Sequence, residues 1–327
     1  MNRLFFELVG PFYDLARAEV IGALGSLGYD HDIISYSKGV LALETDGSPH
    51  EIGDRLGLTH RIFNMLSISS LEDVLEGNIS IDLPRGSAAV ETRRVFGKKV
   101  DSEKVRENLG NIIKEDHEID LDHPDNRLVV LISDRCYLGT LEEEIDKDSL
   151  KSREVKNRPF FSPISLEPRY ARALINLARA EPNSRLHDPF CGTGGILIEG
   201  GTMGIDVSGG DIDPEMVEGS RENLDEFDVQ GDLKVGDLED TIPSDIDCIV
   251  TDPPYGRAAS TSGESIEELY ERLFVASEKN LKKGGHLAVI FPDKKFCDMG
   301  KDILTLKEHY ITNVHSSLNR HFCIYEK

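Results

Sequence analysis

The sequence predicts an α/β protein. A doubly wound, mostly parallel sheet fills its C-terminal half, closed by an antiparallel C-terminal hairpin and preceded by an α+β region. Strand-like and helix-like segments alternate regularly after residue 169, which is the pattern of a parallel sheet with helices on its faces. Before residue 150 the apolar strands come in small groups around single helices, and the tail reads as two adjacent strands.

In chain order, LFFELVG (4–10) is strand-like, Asp14 to Leu27 carries helical spacing, and Gly28 stops that helix. GVLALE (39–44) returns as a strand. A second group begins near Leu71 with AAVETRRVF (88–96), a helix capped by Asp101 that reaches about Lys114, and RLVVLIS (127–133). The turn-rich segment EIDLDHPDN (118–126) separates the last two. A helix from Arg169 to Ala180 follows Pro168. The alternation then runs RLHDP, helix 194–203, DVSGGD, helix 214–227, LKVGD, DIDCIVTD, helix 265–280 and HLAVIFPD. ITNVHSSL (311–318) and HFCIYE (321–326) read as the hairpin, with Asn319 and Arg320 as its turn. The expected organisation is 1–70, an N-terminal α+β unit; 71–150, a second α+β unit; 151–168, a proline-containing linker; and 169–327, the doubly wound domain.

At 327 residues the chain is long enough for two or three domains, and 39% hydrophobic residues spread along it argue against disorder. A net charge of −23 disfavours a generic polyanion or anionic-membrane binder, although local patches still decide contacts. No stretch approaches 18 apolar residues, so no membrane span is expected. Asp14, Arg17 and Glu19 follow the apolar start too closely for a signal peptide, so a cytoplasmic protein is expected. The five cysteines, 136, 191, 248, 297 and 323, include no CxxC pair. Neither a disulfide framework nor a zinc site is expected from such spacing, and no metal requirement.

Three motifs carry chemistry. DPFCGTGG (188–195) follows a strand and opens a helix, so its glycines let backbone approach a ligand at a helix N-terminus. Counted from Gly192, the sixth position of a G-x-G-x-x-G fingerprint is Leu197, which suits a nucleoside ligand without a pyrophosphate. Asp211 ends the second strand, where a carboxylate accepts ribose hydroxyls; Asp213 before Pro214 reads instead as an N-cap. Asp237, after LKVG, is placed to reach an adenine edge. DPPYG (252–256) follows the apolar strand IDCIV and so lies at the carboxyl edge of the sheet. Its prolines fix the backbone so that the Asp252 carboxylate and the Pro253 carbonyl form two acceptors for one NH2 group, and Tyr255 offers a face for a stacked base. That set suits methylation of an exocyclic amine. Cys191 and Cys248 lie in the loop and inside a strand, and read as packing residues rather than nucleophiles.

Two basic islands stand against the acidic total. Residues 85–106 hold seven basic and three acidic side chains, among them Arg93, Arg94, Lys98 and Lys99. Residues 151–172 hold six and two, among them Arg153 and Lys156. Phosphate binding is the expected use of both.

DPFCGTGG, GGDIDPEMVEGSRENL and TDPPYG resemble the motifs of class I S-adenosylmethionine-dependent amino-methyltransferases, whose domain is Rossmann-like. RPFFSPISLEPRYARALINLARA (158–180) is similar to the segment before that domain in archaeal-type tRNA guanine-N2 methyltransferases, and Arg93 to about Leu141 resembles a THUMP RNA-binding domain. The resemblance implies a ferredoxin-like start, a THUMP domain and a Rossmann-like methyltransferase domain, acting on guanosine 10 of tRNA with S-adenosylmethionine as cofactor. It implies that Asp188, Pro189, Cys191, Gly192, Thr193 and Gly194 hold the methionine end of the cofactor. Asp211 then takes the ribose, Ile212 and Asp237 the adenine, and Asp252, Pro253 and Tyr255 the target guanine; Phe161 to Pro163 close over the methionine part. Relatives with histidine-proline-glycine differ here, where the chain has Ser162, Pro163 and Ile164. Other readings of the same motifs are tRNA position 6, ribosomal RNA, a DNA amino-methyltransferase, or a non-catalytic RNA-binding partner.

Overall fold

The computed structural model describes residues 1–97, 99–162, 165–255, 264–315 and 318–327. The chain divides into two compact units: one of Met1–Arg17, Gly28–Asp54 and Thr59–Ile145, the other of Ala18–Leu27, Arg55–Leu58 and Asp146–Lys327.

The first unit is built on β1 (Asn2–Leu8), α1 (Tyr13–Ser26, whose second half belongs to the other unit), β2 (His31–Ser37), β3 (Val40–Thr45), α2 (Pro49–Arg55), β4 (Thr59–Ser69), α3 (Leu71–Glu76), β5 (Ala88–Arg94), α4 (Ser102–Ile113), β6 (Asn126–Ile132) and β7 (Cys136–Glu144). Its seven strands form one sheet in the order β2-β3-β1-β4-β7-β6-β5. The antiparallel β4–β7 pairing therefore joins the stretches 1–70 and 71–150, expected as separate units, in a continuous sheet. Alternation along β6 sorts its residues by face. Leu128, Val130 and Ile132 pack with Val105, Leu109 and Ile113 of α4, while Val129 and Leu131 pack with Phe5, Phe63 and Tyr137. The expected Asp101 cap is present: its side chain accepts the Lys104 N–H at 3.2 Å.

The second unit adds α5 (Lys147–Ser152), α6 (Pro168–Leu177), β8 (Arg185–Asp188), α7 (Gly195–Thr202), β9 (Asp206–Asp211), α8 (Pro214–Glu226), β10 (Gly231–Val235), α9 (Leu238–Thr241), β11 (Ile246–Thr251), α10 (Ile266–Asn280), β12 (Leu281–Phe291), α11 (Lys294–Met299), β13 (Thr305–His315) and β14 (Leu318–Glu326). The strand order is β10-β9-β8-β11-β12-β14-β13. The five strands β8 to β12 run parallel, and β14 enters antiparallel between β12 and β13. The doubly wound sheet with its antiparallel hairpin is thus the observed architecture. Local chemistry starts its helices. Pro168 and Pro214 stand in the first turns of α6 and α8, Asp213 caps α8, and Ser265 with Glu268 forms a capping box on α10.

Two expectations are corrected, and a third segment gains detail. Asn319 and Arg320 are not the hairpin turn; they lie within β14, opposite Asn313 and Thr312, because the strands run longer than their apolar cores. The segment 151–168, expected as a linker, holds the end of α5 and a 3-10 turn at Val155–Asn157. Cys297 and Cys323 are bonded, because α11 packs over β14 and brings together residues 26 apart in sequence. Among the described residues no helix is long and apolar enough to cross a membrane.

Candidate active site at the carboxyl edge of the second sheet

Asp188 ends β8 almost wholly buried. It accepts the Thr251 hydroxyl at 2.6 Å and the Phe190 N–H at 3.1 Å. Burial pushes its carboxyl up to about 7, and the neighbouring Asp211 and Asp252 charges add to the rise. Past the buried Pro189, the chain turns through Gly192 and Gly194, at φ +50° and +77°. A Cβ on Gly194 would come within 2.5 Å of Ser220 Oγ, so backbone conformation and crowding both select glycine there. Gly194 caps α7 without a side-chain hydrogen bond, which leaves the first N–H groups of that helix uncapped by any side chain. Cys191 donates its N–H to Gly210 O at 2.9 Å, and burial raises its thiol far above the reactive range. Cys248 is likewise buried, with its thiol pushed up to about 12. Both behave as packing residues.

Pairing of β8 with β9 sets Asp211 beside this loop. Its carboxylate accepts the Gly192 N–H at 3.0 Å and the Asp213 N–H at 2.9 Å, and burial raises its pKa. Ile212 beside it is 45% exposed. Gly236 donates its N–H to Asp211 O at 3.0 Å, which draws the β10 end to the same edge. Asp237 is more heavily engaged than expected. One oxygen caps α9 through the Leu238 N–H at 2.7 Å, and the other pairs with Arg272 at 2.6 Å.

β11 lies next to β8, so DPPY emerges beside the glycine loop. The Tyr255 hydroxyl donates to Asp252, and the Tyr270 hydroxyl of α10 donates to Pro254 O at 2.7 Å, fixing the turn to the helix. Pro253 is buried. Burial lifts the Asp252 carboxyl to about 6, while the Arg320 guanidinium from β14 and the Tyr255 hydroxyl pull the other way. Asp188, the 189–194 loop, Asp211, Ile212, Asp237, Asp252, Pro253 and Tyr255 thus converge on one edge. Pro163 and Gly256 lie outside the described residues. Phe161 is 58% exposed, a large apolar side chain at the surface.

Several residues of this edge lie inside the quoted motifs but have no role assigned there. Asn223 of α8 accepts the Phe160 N–H at 2.9 Å and donates to Phe160 O and Thr193 O, both at 3.0 Å. One buried amide therefore ties the segment before Phe161 to the glycine loop. Gly219 on the same helix admits the Phe160 ring, which a Cβ would meet at 2.1 Å. Arg158, also buried, donates to Thr193 Oγ1 at 3.2 Å. The available signal was the run Gly219, Ser220 and Asn223 on the buried face of α8, where an ordinary surface helix is apolar.

The members of the basic islands differ in their surroundings. Arg153 is corrected: it is 6% exposed and donates to Glu199 at 2.7 and 3.1 Å, so it is an internal ion partner and not a phosphate ligand. Arg172 shares the same buried Glu199 at 2.7 Å. Lys156 is exposed beside Glu154. In the first unit Arg93 is half exposed and pairs with buried Glu7 at 2.8 Å, Arg94 donates to Gly97 O at 2.9 Å and Lys99 is exposed. Lys98 lies outside the described residues.

A family model for an RMKL-like methyltransferase domain (UPF0020) matches residues 156–321. Among solved structures, TrmN from Thermus thermophilus is similar in fold, with a TM-score of 0.57 at 21% identity over 99% of each chain. SMU.472, solved with SAH, gives a TM-score of 0.54 at 16% identity over 100% of this chain and 99% of that one. The chain is 36% identical to the tRNA (guanine(10)-N2)-dimethyltransferase of Methanothermobacter thermautotrophicus over 96% of each chain. It is 34% identical to that of Pyrococcus abyssi over 98% of this chain and 99% of the relative. With such identity sustained over nearly the whole of both chains, this chain belongs to the family of tRNA (guanine(10)-N2)-dimethyltransferases.

Proposed function

We propose that the protein transfers methyl groups from S-adenosylmethionine to the exocyclic N2 of guanosine 10 in tRNA, through the monomethylated to the dimethylated base. The observation that supports this most is the meeting of Asp252 and Tyr255 with the glycine loop and Asp211 at one sheet edge. When bound, S-adenosylmethionine supplies an electrophilic methyl group carried on a sulfonium. The residues suit it. Asp188 is buried and Asp211 half-buried, neither is paired with a cation among the described residues, and they match a ligand with a positive methionine end and ribose hydroxyl donors. Ile212 and Phe161 offer uncovered apolar surface for an adenine ring and a methionine chain.

Asp252, as a carboxylate, accepts one N–H of the guanine amine, and the Pro253 carbonyl is the second acceptor. Together they aim the nitrogen at the methyl group, and proximity supplies much of the acceleration. No strong base is needed beforehand, since the amine proton becomes acidic only as the new bond forms. The carboxylate then stabilises the positive charge developing on nitrogen. Tyr255 stacks on the flipped base, which recovers about 1–3 kcal/mol of the unstacking cost. Residues 71–150 act as the THUMP RNA-binding module, with Arg93, Arg94, Lys98, Lys99 and Lys156 meeting phosphates, in the cytoplasm where tRNA is processed.

The test is transfer from tritiated S-adenosylmethionine to a tRNA transcript, with nucleoside mass spectrometry. Both N2-methylguanosine and N2,N2-dimethylguanosine should form, and a transcript with adenosine at position 10 should take no label. Label retained on that transcript overturns the position. Cofactor binding without transfer to any RNA overturns the reaction.

A further inference from the structure

Sheet pairing collects a second set of side chains that the methyl-transfer site does not use. His309 of β13 pairs in register with Cys323 of β14, and residues directly opposite on antiparallel strands share a face. His321, two residues before Cys323, lies on that face by the strand period. α11 covers it and delivers Cys297, whose carbonyl accepts the Tyr325 hydroxyl at 2.7 Å. One ligand atom each from Cys297, His309 and Cys323 lies within 4.8 Å of the others. Both cysteines are buried against Phe291, Phe296, Leu304 and Tyr325, and His321 is 6% exposed. His309 Nε2 and His321 Nδ1 are 2.9 Å apart, so a second imidazole holds the first.

We propose that Cys297, Cys323 and His309, with both cysteines as thiols, form a binding site for one zinc-class divalent cation, with His321 as the residue that orients His309. Two thiolates and an imidazole are the donor set of tetrahedral zinc, leaving one position for water. A ligating imidazole is usually supported by an acceptor for its other ring N–H, and His321 Nδ1 stands in that position for His309. A disulfide would use the sulfurs alone and give the paired histidines no part. In a reducing compartment the thiol form prevails. Passing from the bonded to the metal-binding form takes two electrons, which a phosphine supplies: the S–S bond breaks, two thiols form, and the phosphine becomes its oxide with oxygen from water. Binding then forms two S–metal bonds and releases the two thiol protons.

The test uses the full chain, reduced with tris(2-carboxyethyl)phosphine, stripped with EDTA and titrated with Co²⁺. One equivalent should bind, with thiolate-to-cobalt charge transfer in the near-ultraviolet, visible bands of tetrahedral strength and a raised melting temperature. One equivalent of Zn²⁺ should erase those bands. Cys297→Ser and Cys323→Ser should abolish the charge-transfer band, and His321→Gln should weaken binding about 10–100-fold. Wild-type protein kept in the disulfide form provides an arm free of mutation and should show no band. Reduced wild type without the band at one equivalent overturns the site, and so does equal uptake by the reduced and disulfide forms.

Discussion

The Asp252 side chain is an acid held near the threshold of ionisation, and the role proposed for it depends on being charged. Its carboxyl is pushed up to about 6 by burial, so the accepting form predominates above that pH and is lost below it. Single-turnover rates at saturating tRNA and S-adenosylmethionine should therefore fall as pH drops through about 6, and the fall should be absent in Asp252→Asn. Asp252→Ala removes a preorganised acceptor, an effect worth on the order of 10²–10³ in rate. An alanine variant within fivefold of wild type means that the amine is held elsewhere. The asparagine variant should be milder, because its amide oxygen still accepts. Such residues were legible because Asp188, Asp211 and Asp252 each sit at a strand end inside a local motif. Asn223 and Thr251 were not, because each acts on a partner 63 residues away, Phe160 and Asp188, and only the fold brings them together. Arg153 misled for the converse reason: a basic residue in a basic stretch looks solvated until Glu199 is seen beneath it.

Helix α8 is the element that holds the glycine loop to the segment before Phe161. Its Asn223 amide satisfies three backbone groups on two segments. Replacing it by alanine leaves those groups unpaired in a buried setting, at about 1–3 kcal/mol. Asn223→Ala should lower the melting temperature and weaken S-adenosylmethionine binding about tenfold by calorimetry, with tRNA affinity unchanged. Unaltered cofactor affinity would mean that the glycine loop holds its shape unaided. The helices of this half were readable because their starts are written in caps, such as Asp213-Pro214 and Ser265 with Glu268. Strands of the first sheet were harder. HDIISYS of β2 and THRIFNMLSIS of β4 mix polar and apolar residues, and CYLGTLEEE of β7 ends in charge, so neither alternation nor an apolar run announces them.

Across the molecule, charge sets how it meets solvent and ligand. Glu19 and Asp188 are raised to about 7 and Asp252 to about 6, all above their unfolded values, so their protonated forms favour the fold and that contribution disappears as pH rises through 6–7. His187, lowered to about 3, acts oppositely and costs stability only below its unfolded value of 6.5. The melting temperature of the ligand-free protein should therefore rise as pH falls from 8 to 6.5; a decline over that window would contradict buried, proton-hungry acids. Despite the net charge of −23, tRNA affinity should fall steeply with salt. Neutralising Arg94, Lys99 and Lys156 should flatten the log–log slope by roughly 0.7–0.9 for each phosphate that no longer meets a cation. An unchanged slope would assign these residues to bare surface. The division of the chain has its own consequence. The unit holding the glycine loop also owns residues 18–27 and 55–58, where Glu19 accepts the Gly57 and Leu58 N–H groups at 2.8 Å and Arg55 donates to Asn176 at 2.9 Å and Ala180 O at 2.7 Å. A gene segment beginning at Asp146 is thus not a transplantable cassette. Recombination that moved it alone would leave the Asn176 amide and the Ala180 carbonyl without these partners, which lie far upstream in the chain.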